Sequence, residues 1–256
     1  MAPWQSTPSS CPLPPKVQSP TSTSSPLQRP LEKPNGTPVE ELDTPALILD
    51  LATLDATASR LADPEQPARA EVWVHKTPAI ARIQVAIPGI SGIAVRSVAE
   101  AEVFAAAGFD DIRILRPLAT PASQRRVEAI ANSATLAFKA DRPLAGADWF
   151  EGAVTVSARV VSVPEPGRAI LDAGQKAVGR DFGDPRLLGR PRCAALAGSA
   201  EHGVVSFPAD DPFSIGDWLE LVPADVATTF ALHDFVYATR NGVLDAVWPI
   251  SARGAF

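Results

Sequence analysis

From residue 44 onward the chain alternates short apolar runs with stretches of helical periodicity, a rhythm that specifies fold class before any chemistry is considered. Residues 46–50 (ALILD) read as a strand buried on both faces, followed by a helix over 52–61. Residues 72–75 (VWVH) predict a second strand, with a helix opening at Pro78, a residue suited to the first helical turn. A third strand at 92–96 (GIAVR) leads to a helix over 98–107 (VAEAEVFAAA), stopped by Gly108. A fourth strand at 112–116 (IRILR), a helix over 121–131 and a fifth strand at 135–139 (TLAFK) complete the series. Strands separated by single helices specify βα units, a parallel sheet and right-handed connections. The closed form of such a series is an eight-unit barrel, of which the pattern supplies five units.

After Asp141 this rhythm stops. Strand signals with little helical period recur at 154–163, 169–171, 203–207, 218–222, 235–238 and 242–247. Arg240-Asn241-Gly242 predicts a hairpin turn, because Asn-Gly tolerates the positive φ of a type I′ turn. The fold class is therefore α/β plus β: an incomplete parallel βα barrel over 39–150, then an antiparallel β domain over 151–256, a small barrel or sandwich. Residues 1–38 are rich in Pro, Ser and Thr, cannot bury enough apolar surface to offset their ordering entropy, and are read as a disordered tail. Lys16, Arg29 and Lys33 with few acids admit a transit peptide, but the prolines would break the amphipathic helix such peptides form.

Composition narrows the partners. The 256 residues are 46% hydrophobic, enough for one large domain or two smaller ones. A net charge of -6 argues against nucleic acid, whose phosphates require clustered cations. No run of 18 apolar residues is present, so no membrane span is expected. Cys11 and Cys193 stand in unrelated contexts; no structural disulfide is expected, and a cytoplasmic, reducing location is the reading.

Nine short words stand in order between Leu42 and Gly254. They are Asp43-Thr44-Pro45-Ala46-Leu47, His75-Lys76-Thr77-Pro78, Glu100-Ala101-Glu102, Leu171-Asp172-Ala173-Gly174 and Glu201-His202-Gly203, then Gly216-Asp217, Leu232-His233-Asp234, Trp248-Pro249 and Arg253-Gly254. Together they resemble the D-serine dehydratase-like, or D-threonine aldolase-like, family in a shortened form. The resemblance implies a fold-type III, alanine-racemase-type barrel that binds pyridoxal phosphate, with a C-terminal β domain. It further implies a lyase of the D-serine ammonia-lyase or D-threonine aldolase type, a divalent zinc or manganese ion, and a dimer.

Where the family's chemistry should stand, the sequence departs from it. In the family a pattern Arg-Pro-His-x-Lys-Thr-His-Lys carries the Schiff-base lysine first. Counting back from His75, that lysine falls on Trp73 and the preceding histidine on Glu71. An indole cannot form a Schiff base. Lys76 matches the second lysine and, three residues on in an extended strand, is expected on the opposite face as a solvated side chain. Lys139 is the other spare amine, at the strand end where barrels place their chemistry. The family's metal-binding stretch falls on Asp225 and Ala227; one carboxylate alone holds no zinc or manganese usefully, so Asp225 is read as a surface turn residue.

No βα unit stands between 141 and 153, and Gly146 alone makes no phosphate cradle. The shortened barrel is expected to leave edges on its first and fifth strands. His202, His233 and Asp234 match the family, and the two histidines are read as hydrogen-bonded β-domain residues. Glu100 is read as a structural contact and Glu102 as solvated, and Ser199 beside His202 as part of a turn. No nucleophile elbow or paired carboxylates suggest another enzyme class. The expected protein is a family member without pyridoxal-phosphate catalysis, cofactor or metal, pairing with itself or with a full-length relative. The alternative is a lyase with its lysine relocated to Lys139 or Lys76, or one whose gene model is incomplete.

Overall fold

In the computed structural model the described residues are 33–61, 68–116, 118, 120–130, 134–136, 150–196 and 198–255. Most of the predicted tail, Cys11 and Lys139 lie outside them. Along the chain, β1 (Ala46–Asp50) and α1 (Leu51–Leu61) precede a βα series. That series runs β2 (Ala68–Glu71), α2 (Pro78–Val85), β3 (Ile90–Val95), α3 (Val98–Ala106), β4 (Ile112–Ile114), α4 (Pro121–Ala129) and β5 (Ala134–Leu136). The second half contains β6 (Val154–Glu165), β7 (Arg168–Leu171), β8 (Arg186–Leu187), β9 (Ala194–Leu196), β10 (Gly203–Ser206) and β11 (Trp218–Val222). It ends with the short helix α5 (Val226–Leu232), β12 (Phe235–Arg240) and β13 (Val243–Pro249).

Both predicted layers are present. Strands β2-β3-β4-β5 pair in that order as a parallel sheet, and the second half is antiparallel throughout its own pairings. β1 is placed differently from the expectation. It joins the second sheet, antiparallel to β6 and parallel to β12, so β2 and not β1 stands first in the order of the parallel sheet. The reason lies in its side chains: Leu47 and Leu49 enter the main core while Ala46 and Ile48 enter a smaller one with Val39, Leu42 and Leu244. A strand buried on both faces reads alike in either sheet.

Local signals account for most helix starts. Ser97 and Glu100 form a complete capping box at α3, Thr120 caps α4 ahead of Pro121, and Pro78 stands in the first turn of α2. Asn241 and Gly242 have φ of 53° and 76° between β12 and β13, as the hairpin reading requires. The sequence reading placed no element at β8, β9 or α5. The first two have only two and three residues, and α5 has seven, too few for a period to declare itself.

A second core packs β2–β4 against α2 and α3 through Val72, Ile93, Val95, Phe104, Ile112 and Ile114. Fully burying an aromatic such as Phe104 stabilises by about 3 kcal/mol. Two of the sequence words meet at a backbone joint made by the residues beside them: Gln175 N and Lys176 N donate to Ser199 O and Ala200 O, each at 3.0 Å. A Cβ on Gly174 would stand 2.5 Å from Ala200 O, and one on Gly203 2.5 Å from Ala173 O. Only glycine permits that approach. Asp172 ties in a third word, accepting from Thr44 Oγ1 at 2.5 Å and from Arg159 N at 2.8 Å.

Candidate functional site

The strand expected at 72–75 is a turn in the structure; β2 ends at Glu71. Lys76 N donates to Val72 O at 2.7 Å, and Lys76 takes φ 54°, a left-handed conformation costing a non-glycine residue about 1 kcal/mol. This turn reverses the expected facing. In an extended strand Lys76 and Trp73 would point apart, whereas here both line one cavity of about 310 Å³ with Arg96, Glu100, Arg116 and Ala227.

Each wall of the cavity has a definite state. Trp73 Nε1 donates to Glu71 Oε2 at 3.1 Å, so the two residues that the sequence reading set at the family's lysine and histidine positions bind each other. The Arg96 guanidinium lies 3.3 Å from the centroid of the Trp73 ring, a cation–π contact. Lys76 is not the solvated side chain expected. Its Nζ donates to Glu100 Oε1 at 2.5 Å, with side-chain exposures of 18% and 3%. The other Glu100 oxygen accepts from Arg96 N at 2.7 Å and Ser97 N at 3.3 Å. Glu100 is thus the structural contact predicted for it. Glu102 differs from its reading: it is paired in a fork with Arg126, which lowers its pKa.

His75 lies behind this wall, fully buried. Thr77 N donates to its Nδ1 at 3.1 Å, so Nε2 carries the proton and donates to Gln84 Oε1 at 3.0 Å. Its ring meets Phe150 and Phe230 edge-on, at 5.7 and 6.3 Å between centroids. Burial pushes its pKa down to about 3 despite the Gln84 hydrogen bond. A neutral imidazole in an aromatic box is a packing element here, linking the turn after β2 to α5.

The predicted metal positions open α5. Asp225 is buried, against its reading as a surface turn residue, because both its oxygens serve as the helix cap. Oδ1 accepts from Thr228 N at 3.1 Å and Oδ2 from Thr228 Oγ1. Ala227 offers no donor. At the end of α5, His233 Nε2 is 2.8 Å from Ala177 O; a carbonyl only accepts, so this nitrogen is a donor and unavailable to a metal. Burial lowers the His233 pKa. Asp234 is exposed and pairs with Arg253. These donors do not fit a divalent ion.

His202 is exposed and sits apart in the turn that Ser199 closes, where Ser199 N donates to His202 O at 2.8 Å and His202 N to Ser199 Oγ at 3.0 Å. The structure therefore gathers Trp73, Lys76 and Ala227 at one cavity, sets His75 and Asp225 in its supports, and leaves His202, His233 and Asp234 off its walls. Sequence reasoning missed Arg96 and Arg116. Both follow the C-terminal ends of parallel strands, the side where barrel chemistry gathers, and that position was the available signal.

A four-stranded parallel βα layer beside a β half that recruits the first strand defines an alanine-racemase-like fold. The structure superposes on D-threonine aldolase from Filomicrobium marinum with a TM-score of 0.77 and 20% identity, over 87% of this chain and 99% of that one. With D-threo-3-hydroxyaspartate dehydratase from Delftia sp. HT23 the TM-score is 0.62 at 18% identity, over 83% and 98% of the two chains. Residues 153–239 match the family described as "Putative serine dehydratase domain". Over 115 residues the chain is 44% identical to D-threonine aldolase of an Arthrobacter species, spanning 44% of this chain and 29% of the aldolase. Over 107 residues it is 39% identical to 3-hydroxy-D-aspartate aldolase of Paracoccus denitrificans, spanning 42% and 27%. In sequence the chain is thus similar, through its β half, to the D-serine dehydratase-like and D-threonine aldolase-like proteins. These alignments cover less than a third of the curated relatives.

Proposed function

We propose that this chain is a D-serine dehydratase-like protein whose cavity no longer carries pyridoxal-phosphate catalysis. One observation carries the reading: the family's lysine position is an indole capped by Arg96, while the one amine beside it among the described residues, Lys76, is ion-paired to a buried carboxylate. A Schiff base needs a free, neutral primary amine, and the residues described at this cavity do not fit that requirement. The donor set around Asp225 and Ala227 gives the same answer for a metal. The protein's role is then binding, as a homodimer or with a full-length relative, in the cytoplasm. Among the described residues no helix is long and apolar enough to cross a membrane.

A second reading has one observation in its favour. Lys76 shares the cavity with Trp73, so a relocated lysine would reach the same space. In that case the chain would be a lyase acting on D-serine or a D-3-hydroxyamino acid, as the names of its aldolase relatives suggest. Lys139 lies outside the described residues.

Titration of the purified protein with pyridoxal phosphate separates the two. The expected result is no visible band of a lysine-bound cofactor and no mass increase on any lysine after borohydride. A stoichiometric adduct on Lys76 or Lys139 would overturn the proposal, and D-serine and D-threonine assays with zinc or manganese would then follow.

A further inference from the structure

The Trp73 cavity has an unbalanced set of charges. Among the described residues three cations, Lys76, Arg96 and Arg116, and one anion, Glu100, line it. Glu100 is already satisfied by Lys76 and by two backbone N–H groups. Two guanidinium groups are left over. Among the described residues Arg96 makes one contact through its guanidinium, to the Trp73 face, and Arg116 meets no carboxylate there. This cationic pair stands in a protein of net charge -6, so the general field does not attract anions and the local one must.

Guanidinium presents five N–H donors in a planar fork that matches carboxylate and phosphate oxygens. The indole fixes one fork by stacking, which leaves its edge N–H groups free to bond in the ring plane. Neither arginine follows from the family pattern, and each comes from the loop after a different parallel strand.

We infer that this cavity binds a small oxyanion, a phosphate or carboxylate group, held without a covalent bond between Arg96 and Arg116. The inference rests on the non-catalytic reading above and gives the emptied site its ligand class. It requires no amine from Lys76 and no metal.

Calorimetric titration of the full chain at low ionic strength tests it, with inorganic phosphate and succinate as separate probes. At least one probe should bind, more weakly as salt rises. Arg116→Gln should weaken it about tenfold, the effect of losing a charge-assisted hydrogen bond, and Arg96→Gln by at least as much. The Arg116 side chain is exposed, so its variant keeps the test independent of folding, and unchanged thermal midpoints verify this. A phosphate response without a succinate response assigns a phosphate ligand, and the reverse a carboxylate. Absence of binding by both probes, or binding unchanged in Arg116→Gln, refutes the inference. Borohydride trapping of pyridoxal phosphate in the same preparation keeps the two failures apart. A lysine adduct would refute the non-catalytic reading, whereas no adduct and no anion binding would refute the oxyanion site alone.

Discussion

Replacing Glu100 removes two interactions at once, and their sizes follow from the structure. As the fourth member of the capping box it accepts from Arg96 N and Ser97 N, and loss of such a cap costs about 1 kcal/mol. As the partner of Lys76 it forms an ion pair with exposures of 3% and 18%. Exposed pairs are worth about 0–1 kcal/mol and breaking a buried one costs about 3–5 kcal/mol, so an intermediate value of about 2 kcal/mol applies. Glu100→Ala should therefore lower stability by about 3 kcal/mol. Glu100→Gln keeps an oxygen for the cap and should cost about 2 kcal/mol, as should Lys76→Met, which leaves a buried carboxylate uncompensated. The double variant Lys76→Met/Glu100→Gln should also cost about 2 kcal/mol rather than the sum of about 4, because the pair disappears together. Urea midpoints followed by circular dichroism at constant m-value report each quantity. Strict additivity in the double variant would refute the pair, and a Glu100→Ala cost under about 1 kcal/mol would refute both the pair and the cap.

Two further outcomes concern the supports of the cavity. Because burial holds His75 near 3 against an ordinary 6.5, the unfolded chain binds a proton between those values that the folded one does not. Its contribution is whole above pH 6.5 and falls by about 1.4 kcal/mol per unit below, about 2 kcal/mol by pH 5. Wild type should lose correspondingly more urea resistance than His75→Gln on going from pH 7.5 to pH 5, and identical losses would contradict the burial account. Asp225→Asn, which keeps a capping oxygen, should stay within about 0.5 kcal/mol of wild type, while Asp225→Ala should cost about 1–2 kcal/mol. Zinc or manganese should leave the thermal midpoint of wild type unchanged, and a concentration-dependent rise would restore Asp225 as a ligand.

The sequence exposed the fold wherever period and length were both present. Alternating βα units and the long strands of the second half were visible because their side chains answer to one face or one stripe. β1 misled because burial on both faces removes the alternation that would name its sheet. The turn at 72–76 misled because Val72 and Val74 are both fully buried, which mimics a strand while the backbone closes a bend. Its consequence reached the site: with the bend, Lys76 and Trp73 meet at one cavity. The motif words behaved differently again. Several, including Leu171-Asp172-Ala173-Gly174 and Glu201-His202-Gly203, mark close backbone joints, so their order announced the fold more than the chemistry.

The placement of β1 also bears on how the protein comes to exist. Thr239 Oγ1 donates to Leu49 O across 190 residues, and β1 pairs with β12 on one side and β6 on the other. A chain leaving the ribosome holds this apolar strand until β6 follows the βα layer, and its second partner, β12, comes later still. Such distant pairing is slow, and until each partner arrives β1 offers a bare edge to any neighbouring nascent chain. Expression of the β half alone would leave β6 and β12 without the strand between them, so its yield in soluble form should depend on supplying residues 33–61 in trans.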